Sequence, residues 1–263
     1  MQSWGAQPSR AFHEQLFWGG GHVLQFLNTL MMLTGWVILL KISLGTDTMD
    51  PQLFRVAIVM LLIFALPAPL IYQLFEPYSI VQSEAFRRLK FVLGLPTLLL
   101  LGHGLWCVLA ARATKPLPWN KPEFIALVLS VLVFIVGGLM GLMIIGSDTR
   151  IPAHYHAVIA AVNLSIMGVL VCYALPRFGR PVIIGRPVNL QFVLFGVGQF
   201  VACIGLFMAG GYGAQRKMAA GSVSVFDGSL VGLYLNGIGA LLAVVGGILF
   251  VTMLGLALAR REF

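Results

Sequence analysis

The sequence predicts an all-α membrane protein, a bundle of about seven transmembrane helices, on three observations. Of 263 residues, 59% are hydrophobic and only 10% are charged. Mean hydropathy is +0.94. Seven long apolar runs are separated by short polar breaks. A soluble domain carries roughly 25% charged residues to keep its surface in water, so this composition excludes a soluble enzyme. A spanning helix needs about 20 apolar residues, and the length then fits one transmembrane domain over residues 1–263.

The elements follow in order. The segment through Glu14 is polar and has no small-residue cleavage site, so it does not read as a signal peptide, and insertion relies on the first helix, 15–42. Gly45-Thr46-Asp47 ends that run. The second helix, 54–75, carries Pro67-Ala68-Pro69 and stops at Glu76-Pro77. The third, 89–111, ends before Lys115-Pro116-Leu117-Pro118. The fourth, 124–145, holds Gly137 and Gly141 at the four-residue spacing that lets helix backbones approach. Asp148-Thr149 precedes the fifth, 154–175, and a Gly179-to-Pro187 stretch follows it. The sixth is 190–210, and a Gly/Ser-rich loop from Tyr212 to Ser229 leads to the seventh, 230–258.

The net charge is +8, with an isoelectric point near 9.8. The cations fall in the breaks between apolar runs, as membrane topology requires. No basic stripe interleaves with exposed aromatics, so no nucleic-acid partner is expected. With the N-terminus outside, the inside holds Lys41, Arg55, Arg112, Lys115, Lys121, Arg177, Arg180, Arg186, Arg260 and Arg261. The outside holds Arg10, Arg87, Arg88, Lys90, Arg150, Arg216 and Lys217. Ten against seven favours N-terminus out and C-terminus in, in a bacterial-type inner (cytoplasmic) membrane. Cys107, Cys172 and Cys203 sit inside apolar runs without CxxC spacing and read as packing residues. No Asp or Glu lies in the middle of a predicted helix, which argues against a pump using buried carboxylates of this chain. Paired carboxylates, a phosphate-cradling loop and a Ser/His/Asp arrangement are all missing from the pattern.

The histidines carry the chemistry. His22, His103, His154 and His156 lie in or at the ends of apolar runs. Ionisable side chains at such depth are functional candidates by default, and imidazole is the commonest metal ligand. His154 and His156 flank Tyr155 at the start of the fifth helix. Residues two apart on a helix point about 200° apart, so one ion does not take both rings. Two groups on opposite sides do, and two hemes flanking one helix satisfy that geometry. Two hydrogen-bonded histidines near the membrane surface are the plainer reading of the same spacing.

The flanking residues decide more. Ser147-Asp148-Thr149-Arg150-Ile151-Pro152-Ala153-His154-Tyr155-His156 resembles the heme-ligand helix of heme-copper oxidase catalytic subunits. Ser165-Ile166-Met167-Gly168 and Tyr173-Ala174-Leu175-Pro176-Arg177 continue the likeness, especially to B-type oxidases and nitric oxide reductases. His13 through His22, with Leu16-Phe17-Trp18 leading into Gly21-His22, resembles the helix carrying the first copper ligand. Gly211-Tyr212-Gly213-Ala214-Gln215-Arg216-Lys217 sits where that family has a basic turn holding heme propionates. In family order, these matches correspond to the last seven of twelve helices of subunit I.

The resemblance implies roles. His154 becomes the axial ligand of an active-site heme, and His156 one of two axial ligands of a low-spin heme. Arg216 and Lys217 pair with propionates through charge-assisted contacts, and Asp148 orders the same edge. The departures matter equally. The second helix lacks the family's paired copper-ligand histidines, so copper is not expected from this chain alone. His22 is then a vestigial second-metal ligand, a hydrogen-bonding residue, or a ligand to something else. Phe26 stands where many oxidases have a tyrosine, Leu24 where many have a glutamate, and 89–111 has no clear proton-conducting lysine. His103 has no family role and reads as packed or hydrogen-bonded. The family's first five helices have no counterpart, so a partner membrane subunit is expected to supply them and the other low-spin ligand.

The leading expectation is a membrane subunit of a respiratory-type redox complex. It would bind one or two b-type hemes with a partner chain and pass electrons from quinol or cytochrome c. It is a subunit of an oxidoreductase complex rather than a complete enzyme. The alternatives are half of a split oxygen or nitric oxide reductase, whose metal site a partner completes, and a heme-free scaffold for a redox module.

Overall fold

The computed structural model describes residues 10–45, 49–216 and 227–259, with side chains from Leu16 onward apart from that of Asp227. Ten α-helices run through them: α1 (Arg10–Leu44), α2 (Pro51–Ala65), α3 (Pro67–Leu74), α4 (Ile80–Leu89), α5 (Gly94–Thr114), α6 (Pro122–Leu142), α7 (Arg150–Val169), α8 (Leu175–Arg177), α9 (Arg186–Gly211) and α10 (Asp227–Ala259). Several join end to end, so the described residues form seven helices long and apolar enough to cross a membrane. In hydrocarbon every backbone N–H and C=O must be paired within the segment, which leaves a long apolar stretch little choice but helix.

Helix starts reach beyond the apolar runs because capping is polar. Asp50 caps α2 by accepting from Gln52 N at 2.7 Å, with Pro51 at the first helical position, where no N–H is needed. Ser79 caps α4 by accepting from Gln82 N at 3.1 Å. The third span therefore begins at Ile80 rather than near residue 89, and it contains Glu84, which the hydropathy reading left outside. Glu84 is neutralised there by Arg87 (Nε to Oε2, 2.6 Å) and Arg88 (Nε to Oε1, 2.9 Å). Prolines explain the breaks. Pro67 has no N–H to extend α2, and Leu66 N bonds back only to Ile63 O. Pro176 would collide with the Cys172 carbonyl of a regular α-helix. The chain widens to a π turn at Leu170–Ala174 instead, with Leu175 N reaching Leu170 O.

The described residues divide into two compact units. One takes the residues through Leu33 and Met49–Cys107. One of its core clusters is Ala68, Ile71 and Phe86, with Val23, Phe75, Ala85 and Leu89 packed around them. Gly19 meets the Tyr72 hydroxyl and the Phe86 ring, and Trp18 Nε1 donates to Ser83 O at 2.9 Å. His103 Nε2 accepts from Asp50 N at 3.2 Å, so this histidine is hydrogen-bonded to the cap of α2.

The other unit holds the rest of α1 from Thr34 and the chain from Val108 onward. Ser130 of α6 ties three helices. Its Oγ accepts from Trp36 Nε1 at 2.8 Å and donates to Ala161 O at 2.7 Å. Helices α9 and α10 pack through glycines seven residues apart: Gly198 and Gly205 against Gly232, Gly239 and Gly246. A Cβ on Gly198 would lie 2.5 Å from Ala243 N and 2.7 Å from Gly239 O. The two backbones therefore touch with no side chain between them.

That contact yields a prediction. Gly205→Val drives a branched side chain into the Asn236 backbone and lowers stability by about 1–3 kcal/mol. Gly237→Ala, whose Cβ meets nothing within 4 Å, does not lower stability, since alanine is the better helix former. Thermal unfolding of both variants in detergent separates the two outcomes.

Candidate functional site

Helix α7 carries the two candidate histidines, and its neighbours give them different surroundings. The His154 ring lies against α6. Its Nδ1 donates to Gly137 O at 2.7 Å. A Cβ on Gly141 would fall 2.6 Å from that nitrogen, so the ring occupies the room this glycine leaves. Gly137 meanwhile lets α7 approach, since its Cβ would lie 2.7 Å from that of Ala157. The hydrogen bond places the proton on Nδ1 and leaves Nε2 as the nitrogen with the lone pair. Backbone carbonyls orient metal-binding histidines in this way.

His156 points elsewhere. It lines a cavity of about 850 Å³ bounded by α7, α9 and α10. The walls are mostly apolar, with Phe195, Leu206 and Val244 among them, and Gln199, Asn236 and Thr252 add polar groups. Asn236 Nδ2 donates to Ala202 O at 3.2 Å, and Thr252 Oγ1 to Ile248 O at 2.8 Å. Cofactor sites are typically of this size, apolar with a few placed polar groups. A histidine nitrogen within an apolar cradle is a lining chemically suited to a heme. Among the described residues, no second histidine lines the cavity. Gln199 and Asn236 were not singled out by sequence reading. The signal was an amide deep in each of two largely apolar helices, Asn236 being the one amide of α10.

Asp148 and Thr149 join the start of α7 to the segment after α9. Asp148 forms an isolated β-bridge with Gln215. Thr149 N donates to Ala214 O at 3.0 Å, and Thr149 Oγ1 to Leu206 O at 2.8 Å. Gly210 leaves space for this, since a Cβ there would lie 2.7 Å from Arg150 N. Arg216 therefore follows directly on a residue bridged to Asp148. Lys217 lies outside the described residues. The Asp148 carboxylate is held by Arg150, with Nη2 to Oδ2 at 2.6 Å, Nε at 3.0 Å and the Arg150 backbone N–H at 2.9 Å. Arg150 also donates to Ile145 O at 2.7 Å.

In the other unit, His22 Nδ1 donates to Trp18 O at 2.7 Å, and the two rings lie 4.7 Å apart. Among the described residues, no three His, Cys, Asp or Glu side chains converge as a metal site.

Asp148 supplies a pH prediction. Burial raises its pKa, but the hydrogen bonds and charge of Arg150 outweigh burial and hold the carboxyl below its ordinary value. A depressed folded-state pKa contributes stability above the unfolded value of 3.8 and loses it as pH falls through the folded value. The stability gap between the native chain and Asp148→Asn is therefore constant near neutral pH. It closes below about pH 4, as denaturation measured across that range will show.

No protein-family model matches the chain. Among curated proteins it is 27% identical over 280 residues to an uncharacterized protein of Rickettsia prowazekii, covering 93% of this chain and 54% of that one. It is 25% identical over 280 residues to a cytochrome c oxidase subunit 1 of Thermus thermophilus, covering 94% and 48%. A shorter cytochrome c oxidase subunit 1 sequence from the same species is 33% identical over 108 residues, which is 36% of this chain and 99% of that one. The chain spans about half the length of the two longer relatives. On the seven-helix architecture and these similarities, the chain belongs to the cytochrome c oxidase subunit 1 family.

Proposed function

We propose that this chain is a heme-binding membrane subunit of a respiratory-type redox complex. One observation carries the reading. The two histidines of the His-Tyr-His pair serve different sides of α7, one oriented by a backbone carbonyl and the other lining an apolar cavity. His154 would hold one heme iron through Nε2 and His156 another. Bound heme supplies reversible one-electron transfer, with a potential set by axial ligands and surroundings. The residues of the chain supply orientation and exclusion of water. Gly137 O fixes the His154 ring, and Phe195, Leu206 and Val244 keep the His156 side apolar. Asp148 and Thr149 hold the segment bearing Arg216 near the start of α7, which supports a propionate-pairing role for Arg216 and, in sequence, for Lys217.

The hemes are inferred to be b-type, one or two in number, and the chain a relative of B-type oxidases and nitric oxide reductases in particular. A partner membrane subunit completes the low-spin site, which agrees with a cavity lined, among the described residues, by a single histidine. Quinol or a cytochrome c donates the electrons. The orientation proposed is N-terminus outside and C-terminus inside a bacterial-type inner membrane. A second reading, half of a split oxygen or nitric oxide reductase, is favoured by His22. Its Nδ1 is committed to Trp18 O, as that of His154 is to Gly137 O, which leaves Nε2 as the lone-pair nitrogen for a metal completed by a partner.

The test is a pyridine-hemochrome and metal assay on the complex purified in mild detergent. His154→Ala and His156→Ala are each expected to remove a distinct heme. Unchanged heme content in both variants refutes heme binding by this pair and leaves a heme-free scaffold. Copper or non-heme iron lost on His22→Ala selects the split reductase. A further outcome separates the two hemes. Gly141→Val displaces the His154 ring and lowers heme content by one, while the absorption of the His156 heme persists.

A further inference from the structure

We propose that the turn between α5 and α6 binds the headgroup of an anionic phospholipid. A cavity of about 490 Å³ is lined there by Arg112, Lys115, Pro116, Leu117 and Trp119, with no acidic side chain among them. It sits at the end of the third membrane span, Ile80–Thr114, where hydrocarbon gives way to headgroups.

Four features make this a built site rather than a solvated loop. Arg112 and Lys115 are three residues apart, a spacing that puts both cations on one face of the helix end. Lys115 N bonds to Ala111 O at 3.0 Å and continues the helix to that point. The Lys115 ammonium donates to Leu44 O at the end of α1 at 2.9 Å, which fixes a charge that would otherwise swing on a flexible stem. Trp119 is 60% exposed, yet its ring is braced edge-on against Phe124 at 5.0 Å, as interfacial tryptophans are held. The turn itself is stiff, with Pro116 and Pro118 and the bonds Trp119 N to Leu117 O and Lys121 N to Pro118 O.

Charge favours an anion over the whole end of this unit. Asn189 Nδ2 donates to Asn120 O at 2.9 Å, so the α5–α6 turn and the start of α9 share one end. Residues 112–123 and 177–186 there contain six cations and one acid. The carbonyl end of α5 carries only about half a negative charge, which two full positive charges exceed. A phosphate monoanion fits this chemistry, and basic pockets at helix ends take lipid headgroups in this way. The apolar surroundings select lipid over free phosphate. Leu109 lies one turn back from Arg112, is 52% exposed, and offers a path for an acyl chain.

The experiment is native mass spectrometry of the complex containing the full chain, released from detergent with equal phosphatidylglycerol and phosphatidylcholine. Phosphatidylglycerol is expected to stay bound in preference. The double variant Arg112→Gln/Lys115→Gln should lower its occupancy about twenty-fivefold, about fivefold per cation. Arg112→Gln alone touches an exposed side chain, keeps the fold, and should give the fivefold step. Arg112→Lys should retain most of the preference. Equal retention of the two lipids, or unchanged occupancy in the glutamine variants, overturns the proposal. Displacement by excess inorganic phosphate also overturns it, by making the site one for a free anion.

Discussion

How close two helix backbones can come governs the larger unit of this protein. In hydrocarbon, helices gain nothing by hiding apolar side chains from lipid, so association depends on packing and on the few hydrogen bonds made between helices. Gly137 lets α7 lie against α6, and Gly141 leaves a space that an imidazole fills. The donor nitrogen of His154 then finds the Gly137 carbonyl at 2.7 Å. Larger side chains there would push the ring away and change the nitrogen that presents its lone pair. The seven-residue glycine pattern of α9 and α10 works on the same principle and brings together the two helices whose other residues wall the His156 cavity. Geometry at both histidines thus rests on residues that have no chemistry of their own.

Polar contacts are few and concentrated where helices must be held at a fixed rotation. Ser130 satisfies the Trp36 indole and passes a hydrogen bond to Ala161 O. Thr149 and Asp148 fasten the start of α7 to the segment after α9. The Asp148–Arg150 pair sits at the boundary rather than in the apolar depth, where separating it from water would cost more than its attraction returns. Elsewhere the outer surface is apolar, as at Leu62 and Leu66, which suits contact with lipid or with another membrane chain.

Hydropathy made the seven spans readable, because a run of apolar residues has no other stable solution in a bilayer. The ends were less readable. Asp50 and Ser79 are polar and look like loop, yet they cap helices and move the starts outward. The opposed directions of His154 and His156 followed from 100° per residue and required no knowledge of neighbours. The Gly137–Gly141 pair was legible from its spacing. The α9–α10 glycines were not, since both helices are apolar all round and nothing in one dimension says which faces meet. Gln199 and Asn236 escaped notice for the same reason. Their importance depends on sharing a cavity, and that is a property of packing. The π turn was equally hidden, although Pro176 in a helical run was its cause.

That wide turn at Leu170–Ala174 has a consequence for comparing relatives. It holds one residue more than an α-turn needs, and one residue corresponds to a rotation of about 100°. Positions beyond it, from Leu175 to Arg177, are therefore out of phase with the helix that carries the histidines. A relative lacking the extra residue would match this chain through the histidines and then lag it by one. Written without a gap, the two sequences would equate core positions with lipid-facing ones. A single-residue indel there records a change of helical pitch, whereas the same indel inside α9 would shift one end of the glycine series out of register with α10.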